Sequence, residues 1–352
     1  MEIMKNMNYY IFLFVILVFS SYVGKMAKKQ LDAYDTDDYE LIQKYLLNDN
    51  NPLQGKNKPK LWIHTKYEIN ARQWSSYGTR NSKELNQPYL YLTIQSVVVN
   101  CGDDFNICLI DDKSFHKLIP DWRGGEDISI LAEPLQTHVR QLGMLQLLHI
   151  YGGLIVPNSF ICLRPLLPLF EKCANSPVMF EKYNRTCDIR QHQKPMFVPD
   201  MFFMGATKHS DCIQEMMSAY GKIHPLYAEG DFTGEMTKWC ISAVEEGKIQ
   251  MMDGNQIGTK NNRNQPILLD DLMEEEFLKL NWRENYGIYI PADEILTRPK
   301  YQWFVQLTKE DAMRTTSVLS KYLVEASIGG TTTQQNGVAA DKKNIVKSVT
   351  LI

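Results

Sequence analysis

The strongest constraint on the fold lies in residues 138–166, where a helical pattern runs into two adjacent glycines and then a short apolar run. Leucine recurs at helical spacing through the first part of this segment, which predicts a buried helix. Gly152 and Gly153 favour the end of that helix, because glycine adopts the positive φ of a C-terminal cap. The apolar residues 154–156 predict a strand that starts at once, and Pro157 ends it by removing a backbone donor. Such a unit predicts a parallel sheet, with the next residues at the edge where these sheets bind ligands.

The rest of the chain alternates between strand-like and helix-like patterns. Alternation of this kind is typical of an α/β fold, in which helices cover a sheet in layers. Strands are predicted at 61–64, 105–110, 153–156 and 177–180, and helices at 83–100, 131–151, 209–221 and 234–246.

Composition and motif spacing argue against several functional classes. Lys and Arg total 38 against 41 Asp and Glu in 352 residues, with no basic block, so nucleic acid is not an expected partner. Seven cysteines include no CxxC pair, which argues against a zinc ribbon, while their spacing leaves disulfides undecided. The nucleophile elbow, P-loop, HExxH and GxGxxG sequences are missing, so hydrolase, NTPase, metalloprotease and dinucleotide-binding functions lack their diagnostic spacing.

The start of the chain predicts attachment to a membrane. Residues 9–23 carry no charge and lie between Lys5 and Lys25, which fits a short membrane helix or the core of a signal peptide. Bulky residues stand where a signal peptidase needs small ones, so we expect an uncleaved anchor and a single-pass membrane protein. The predicted division is an anchor at 1–29, a stalk at 30–58, a folded domain at 59–326 and a flexible tail at 327–352.

Several short motifs resemble, in the same order, those of a known family. Tyr151-Gly152-Gly153 and the following strand resemble the core Y-G-G-h-Y-h-D-x-D, where h is apolar. Residues 59–64 resemble its P-K-I-I-H-Q strand, 105–112 its Y-E-x-x-L-W-D-D strand, 163–166 its L-K-P-L stretch, 202–206 its N-x-F-x-G-A strand and 232–235 its T-G-P turn. The family is that of the GT-A glycosyltransferases related to family 32 and to capsular polysaccharide synthesis proteins. Glycosyltransferase-like proteins of large DNA viruses are also similar.

This resemblance implies a fold and an activity. The fold is a mixed, mainly parallel sheet flanked by helices, with a nucleotide-binding half at 59–166 and an acceptor half at 167–326. The activity is transfer of a sugar from a nucleotide-sugar donor to a hydroxyl of a glycan or glycoprotein acceptor. The resemblance therefore places the domain in a Golgi- or ER-like lumen, in type II orientation, or at a viral membrane.

The chain departs from this family where active relatives bind Mn²⁺ or Mg²⁺. Two aspartates of those relatives hold the cation against the donor diphosphate, because hard cations prefer carboxylate oxygens. Here the three motif positions are Pro157, Asn158 and Ser159, which carry no charge. Ordinary metal-dependent catalysis is therefore not expected.

Three alternatives follow from this departure. First, guanidinium groups bind the diphosphate in place of the metal, so that transfer is metal-independent; the candidates are Arg140 and Arg164, which flank the motif, and Arg72 and Arg80, which lie in a loop after the first strand. Second, Asp111 and Asp112 hold a cation at the end of another strand. Third, the fold acts without turnover as a glycan-binding or virion-associated structural component.

Each candidate residue also has a structural explanation. His64 can be a satisfied strand-end histidine, and Asp111 and Asp112 can cap a helix. Arg140 can pair with Glu133, and Glu235 in a first helical turn needs only the helix dipole as its reason. The nucleotide-sugar candidates are His64, Arg72, Asp111, Asp112, Arg140, Gly152, Gly153, Asn158, Ser159 and Arg164, and the acceptor candidates are Thr233, Gly234 and Glu235.

An aromatic segment near the C-terminus is a further candidate. Residues 286–304 are rich in Tyr, Trp and Phe and include Asp293, Glu294 and Arg298. Aromatic faces beside carboxylates suit a sugar ring, although the same residues also suit packing against the core.

Overall fold

Two sheets organise the part of the chain that the structure describes. The computed structural model describes residues 58–65, 87–125, 128–184, 197–224 and 234–329, all within the unit Asp49–Ile352. The main sheet contains β1 (Lys60–His64), β2 (Asn106–Ile110), β3 (Gly153–Ile155), β5 (Val178–Tyr183), β6 (Phe197–Ala206) and β7 (Gln250–Met252), and a second, two-stranded sheet contains β4 (Phe160–Cys162) and β8 (Gly287–Tyr289).

The main sheet has the spatial order β2-β1-β3-β6-β5-β7. Strand β1 pairs in parallel with β2 and with β3, and β5 pairs in parallel with β7. Strand β6 runs antiparallel to both of its neighbours, β3 and β5. The expected mixed, mainly parallel sheet is therefore confirmed, and all four strands predicted from apolar runs are present.

Helices cover this sheet, as the alternating pattern predicts. The four predicted helices are present with shifted ends: α3 begins after Pro134 because proline lacks the N–H that a helix interior requires. The helices are α1 (Tyr89–Cys101), α2 (Asp112–Leu118), α3 (Leu135–Tyr151), α4 (Leu167–Glu171), α5 (Asp211–Tyr220), α6 (Glu235–Glu245), α7 (Leu269–Met273), α8 (Ala292–Thr297), α9 (Lys309–Arg314) and α10 (Val318–Gly329).

The diglycine turn lets β3 pack closely against β1 directly after α3 ends. Gly152 has φ 68° and Gly153 has φ 120°, a region that residues with a Cβ rarely adopt. A Cβ on Gly153 would overlap the Lys60 carbonyl, and the Gly152 carbonyl accepts a 2.9 Å hydrogen bond from Trp62 Nε1. The turn therefore has a structural role, at the edge of the sheet where β3 begins.

None of the helices in the described ranges combines the length and the apolar character needed to cross a bilayer. The anchor predicted at 9–23 lies outside those ranges. Membrane attachment stays a prediction.

Candidate functional site

Three parallel strands end side by side at one edge of the main sheet, here called the carboxyl edge. The Thr65 N–H donates to the Ile110 carbonyl at 2.8 Å, which aligns the ends of β1 and β2. The Val156 N–H donates to the Trp62 carbonyl at 2.9 Å, which aligns β3 with them. Because parallel strands direct their carboxyl ends to the same edge, the residues after β1, β2 and β3 lie together, as the sequence predicts.

At this edge His64, Asp112 and Arg140 converge. Arg140 on α3 donates from Nε to Asp112 Oδ1 and from Nη2 to Asp112 Oδ2, both at 2.8 Å. His64 Nε2 lies 3.0 Å from Asp112 Oδ1, and its ring stacks on Phe115 at a centroid distance of 5.5 Å. The side chains are only 7% (Arg140), 13% (His64) and 18% (Asp112) exposed. Three candidates from separate segments of the sequence therefore form one ion-pair cluster.

The charged groups of this cluster pair with one another. Burial by itself would raise the pKa of Asp112, but the hydrogen bonds from His64 and Arg140 outweigh it and hold that pKa well below its ordinary value. Asp112 is therefore ionised at neutral pH, and both of its oxygens are engaged. The Glu133 carboxylate, the partner suggested by sequence, is 4.0 Å from Arg140 Nη1, so Asp112 is the principal partner instead.

Asp111 caps α2. Its Oδ1 accepts from the Ser114 N–H at 2.9 Å and from Ser114 Oγ at 2.7 Å, while Ser114 Oγ accepts from the Asp111 N–H at 3.1 Å. This reciprocal arrangement is a capping box. The capping explanation for Asp111 is confirmed.

The Pro157-Asn158-Ser159 tripeptide follows β3 at the carboxyl edge. Ser159 is buried, and its Oγ donates to the Ile290 carbonyl at 2.8 Å. The Asn158 carbonyl accepts from Thr93 Oγ at 2.5 Å, while the Asn158 residue itself is half-buried. The backbone of the tripeptide and the Ser159 hydroxyl therefore hold β4 in place, and Asn158 is the residue whose side chain remains a candidate for ligand contact.

The residues present do not fit the divalent cation of the related family. Ser159 donates its hydroxyl to a carbonyl, both oxygens of Asp112 accept hydrogen bonds from the His64 and Arg140 pair, and Asp111 is a helix cap. Among the described residues, no group of three or more His, Cys, Asp and Glu side chains is arranged to hold a metal ion.

The remaining predicted residues do not join this cluster. Gly152 and Gly153 lie at the opposite edge of the sheet, and Arg164 is exposed and donates to the backbone carbonyls of Arg283 (3.1 Å) and Trp282. Gly234 adopts the left-handed conformation and caps α6, and Glu235 is exposed in its first turn. Arg72, Arg80 and Thr233 lie outside the described residues.

A second polar group, missed by the sequence motifs, lies next to the tripeptide. Strand β6 extends past the end of β3, and it carries Asp200, which is 5% exposed and accepts from the Phe202 N–H at 3.0 Å. Lys182 on β5 places Nζ 5.9 Å from the centre of the Phe202 ring and 6.0 Å from that of Tyr289. Tyr289 pairs with Phe160 in the second sheet, and Phe160 directly follows Ser159 in the sequence. We call Lys182, Asp200, Phe202 and Tyr289 the aromatic-polar group.

Burial and the neighbouring charges shift the pKa of Tyr289 in this group. Burial raises the pKa of Tyr289 to about 12; nearby Lys182 lowers it, and the carboxylates of Asp200 and Asp293 raise it. The Tyr289 phenol is therefore protonated at neutral pH and able to donate a hydrogen bond. Tyr289 and Asp293 belong to the segment 286–304 that composition singled out, but Lys182 and Asp200 belong to no motif that could have flagged them.

The fold and this edge define an α/β protein with a candidate ligand site where its parallel strands end. No family model matches the chain, and no curated protein matches it.

Proposed function

We propose that this protein is glycosyltransferase-like and binds a nucleotide sugar along the carboxyl edge of its main sheet. One observation carries the proposal: polar groups stand in strand order along that edge. They are Asp112 after β2, His64 on β1, Asn158 after β3, Asp200 on β6 and Lys182 on β5.

The length of this row suits an elongated ligand. Four strand spacings separate β2 from β5, which corresponds to roughly 19 Å at about 4.8 Å per spacing. The carboxyl ends of parallel strands are the usual location of nucleotide sites in α/β proteins. A ligand with a nucleotide at one end and a sugar at the other can contact both ends of such a row.

The aromatic-polar group supports a sugar at the end formed by β5 and β6. Phe202 and Tyr289 are half-buried residues beside Lys182. Aromatic faces pack against the C–H face of a sugar ring, while a few fixed polar groups orient its hydroxyls. Lys182, Asp200 and the Tyr289 phenol supply donors and acceptors of both charges within this group.

The contacts of the two arginines support binding of a nucleotide sugar better than they support metal-independent transfer, in which arginine groups would hold the diphosphate. Arg140 is neutralised by Asp112, and Arg164 is engaged by backbone carbonyls. Neither of these two arginines therefore presents a charge that is available to a diphosphate. Glycan binding without turnover, in a membrane or virion setting, remains a prediction of the same site.

Transfer is the second candidate, favoured by Asp200. A carboxylate with 5% exposure beside Tyr289 is suitably placed to act as a general base for an acceptor hydroxyl. In that reaction the acceptor oxygen bonds to the anomeric carbon, the bond from that carbon to the diphosphate breaks, and the hydroxyl proton passes to Asp200. The nucleoside diphosphate leaves with the bonding electrons.

Calorimetric titration of the full chain in detergent with UDP- and GDP-sugars, with and without manganese, tests the proposal. We expect binding of one nucleotide class with an affinity that manganese does not change, and at least tenfold weaker binding in Lys182→Ala. The matched control is Lys248→Ala, which removes an exposed lysine before β7, at the other edge of the sheet. Absence of binding for every nucleotide sugar would contradict the proposal, and product formation by wild type but not by Asp200→Asn would favour transfer.

A further inference from the structure

The thiols of two buried cysteines are in contact beside β4, the strand that follows Asn158. Cys101 ends α1 and Cys162 ends β4, and their Sγ atoms are 3.7 Å apart. Both residues are 0% exposed. The contact joins a helix to a strand, and the two cysteines are 61 residues apart in the sequence.

The backbone around this contact already holds the two elements together. The Cys162 N–H donates to Ser96 Oγ at 2.8 Å, and Asn100 Nδ2 donates to the Cys162 carbonyl at 2.9 Å. Ser96 and Asn100 lie on the same helix as Cys101. Both backbone polar groups of Cys162 are therefore bonded to side chains of α1, and the sulfurs have to approach from 3.7 Å to about 2.05 Å to form a disulfide.

We propose that Cys101 and Cys162 are an oxidative modification site, and that a small disulfide such as oxidised glutathione converts them to a disulfide as the chain folds. One cysteine thiolate attacks the glutathione disulfide and releases one glutathione thiol. The second cysteine thiolate then attacks the mixed disulfide and releases the other. Overall, the two cysteines lose two protons and two electrons, and one oxidised glutathione becomes two reduced molecules.

The bond forms before α1 and β4 are fully packed. Thiolates are the attacking species, and burial, reinforced by the adjacent Cys101 thiol, raises the pKa of Cys162 well above its ordinary value. The folded, reduced protein therefore reacts slowly with oxidants. Once formed, the bond is shielded from reductants by the same burial and fastens α1 to the strand that follows Ser159.

Peptide mapping of the full chain tests this assignment directly. The chain is synthesised in a cell-free reaction with detergent, once with oxidised and reduced glutathione and once with dithiothreitol, then denatured in N-ethylmaleimide and digested without reduction. We expect the glutathione sample to contain the Cys101 and Cys162 peptides joined, two hydrogens lighter than their sum, and the dithiothreitol sample to carry maleimide on both. Maleimide on both cysteines in the glutathione sample, or pairing of either with a different cysteine, would overturn the proposal.

A thermal measurement provides an independent readout. Closing a loop of this size typically stabilises a domain, so synthesis with dithiothreitol in place of glutathione is expected to lower the Tm by about 5 to 10 °C. The same loss is expected in Cys108→Ser, which removes another buried thiol, and no loss is expected in Cys101→Ser. An equal loss in Cys101→Ser would assign the stabilising bond to other cysteines and overturn the proposal. This test is independent of nucleotide-sugar binding.

Discussion

Arg140 donates two hydrogen bonds to Asp112, with Nε and Nη2 each 2.8 Å from a different carboxylate oxygen. This pair ties α3 to the first residue of α2, at the edge where β1 and β2 end. A carboxylate and a guanidinium in this two-bond geometry form one of the stronger ion pairs in proteins. The pair therefore stabilises the edge on which the proposed site depends.

Removal of the Arg140 guanidinium is expected to destabilise the fold. Arg140→Met leaves the largely buried Asp112 carboxylate with His64 alone, and breaking such a pair costs about 3 kcal/mol of unfolding free energy. Urea denaturation followed by tryptophan fluorescence measures this loss. The control, Arg164→Met, removes an exposed guanidinium and is expected to cost less than about 1 kcal/mol. Equal losses in the two variants would contradict a special role for the Arg140 pair.

Stability is expected to fall in acid because of Asp112. Its pKa is lowered on folding, so its contribution is fully present above its unfolded pKa and is lost as the pH falls towards the folded value. The difference in unfolding free energy between wild type and Asp112→Asn should therefore be largest near pH 7 and shrink below about pH 4. Urea midpoints at several pH values measure it. A difference that stays constant down to pH 3 would show that the charge of Asp112 is not involved.

Substitution of Gly153 is expected to be more harmful than its backbone angle alone explains. Gly153 and Gly247 both have positive φ, at 120° and 73°, but an added Cβ overlaps Lys60 only at Gly153 and meets nothing within 4 Å at Gly247. We expect Gly247→Ala to cost about 1 kcal/mol and Gly153→Ala about 2 kcal/mol more. Chemical denaturation compares the two variants. Similar costs would mean that the approach of β3 to β1 tolerates a methyl group.

Loss of the Tyr289 hydroxyl is expected to weaken nucleotide-sugar binding while leaving the fold intact. The phenol is protonated at neutral pH, and one hydrogen bond to a sugar hydroxyl is worth about tenfold in Kd. Calorimetry on Tyr289→Phe measures the change. Tyr286→Phe is the matched control, because Tyr286 precedes β8 and contacts Leu163 through its backbone. Equal affinities for wild type and Tyr289→Phe would remove the phenol from the site.

Local sequence patterns predicted four strands, four helices and the edge of the sheet at which Asn158 lies. Apolar runs identified β1, β2, β3 and β5, and the diglycine identified the end of α3, because these features depend on neighbours within a few residues. The same patterns placed Asp111 at a helix cap, which the capping box with Ser114 bears out. The position of Asn158 at a strand end followed from Pro157 in the same way.

The partners of the candidate side chains were decided only by the tertiary structure. Arg140 and Asp112 are separated by 28 residues, and no spacing rule relates them. The sequence therefore predicted neither that they pair nor that the pairing neutralises the Arg140 charge. Lys182, Asp200 and Tyr289 meet because β6 is inserted antiparallel between β3 and β5 and because β8 pairs with β4. The sequence by itself determined four of the helices, four of the strands and the turn that joins α3 to β3, since those rest on local backbone preference and periodicity. Strand order and side-chain pairing arose from long-range packing, and that packing determined which charges are neutralised and which groups share an edge.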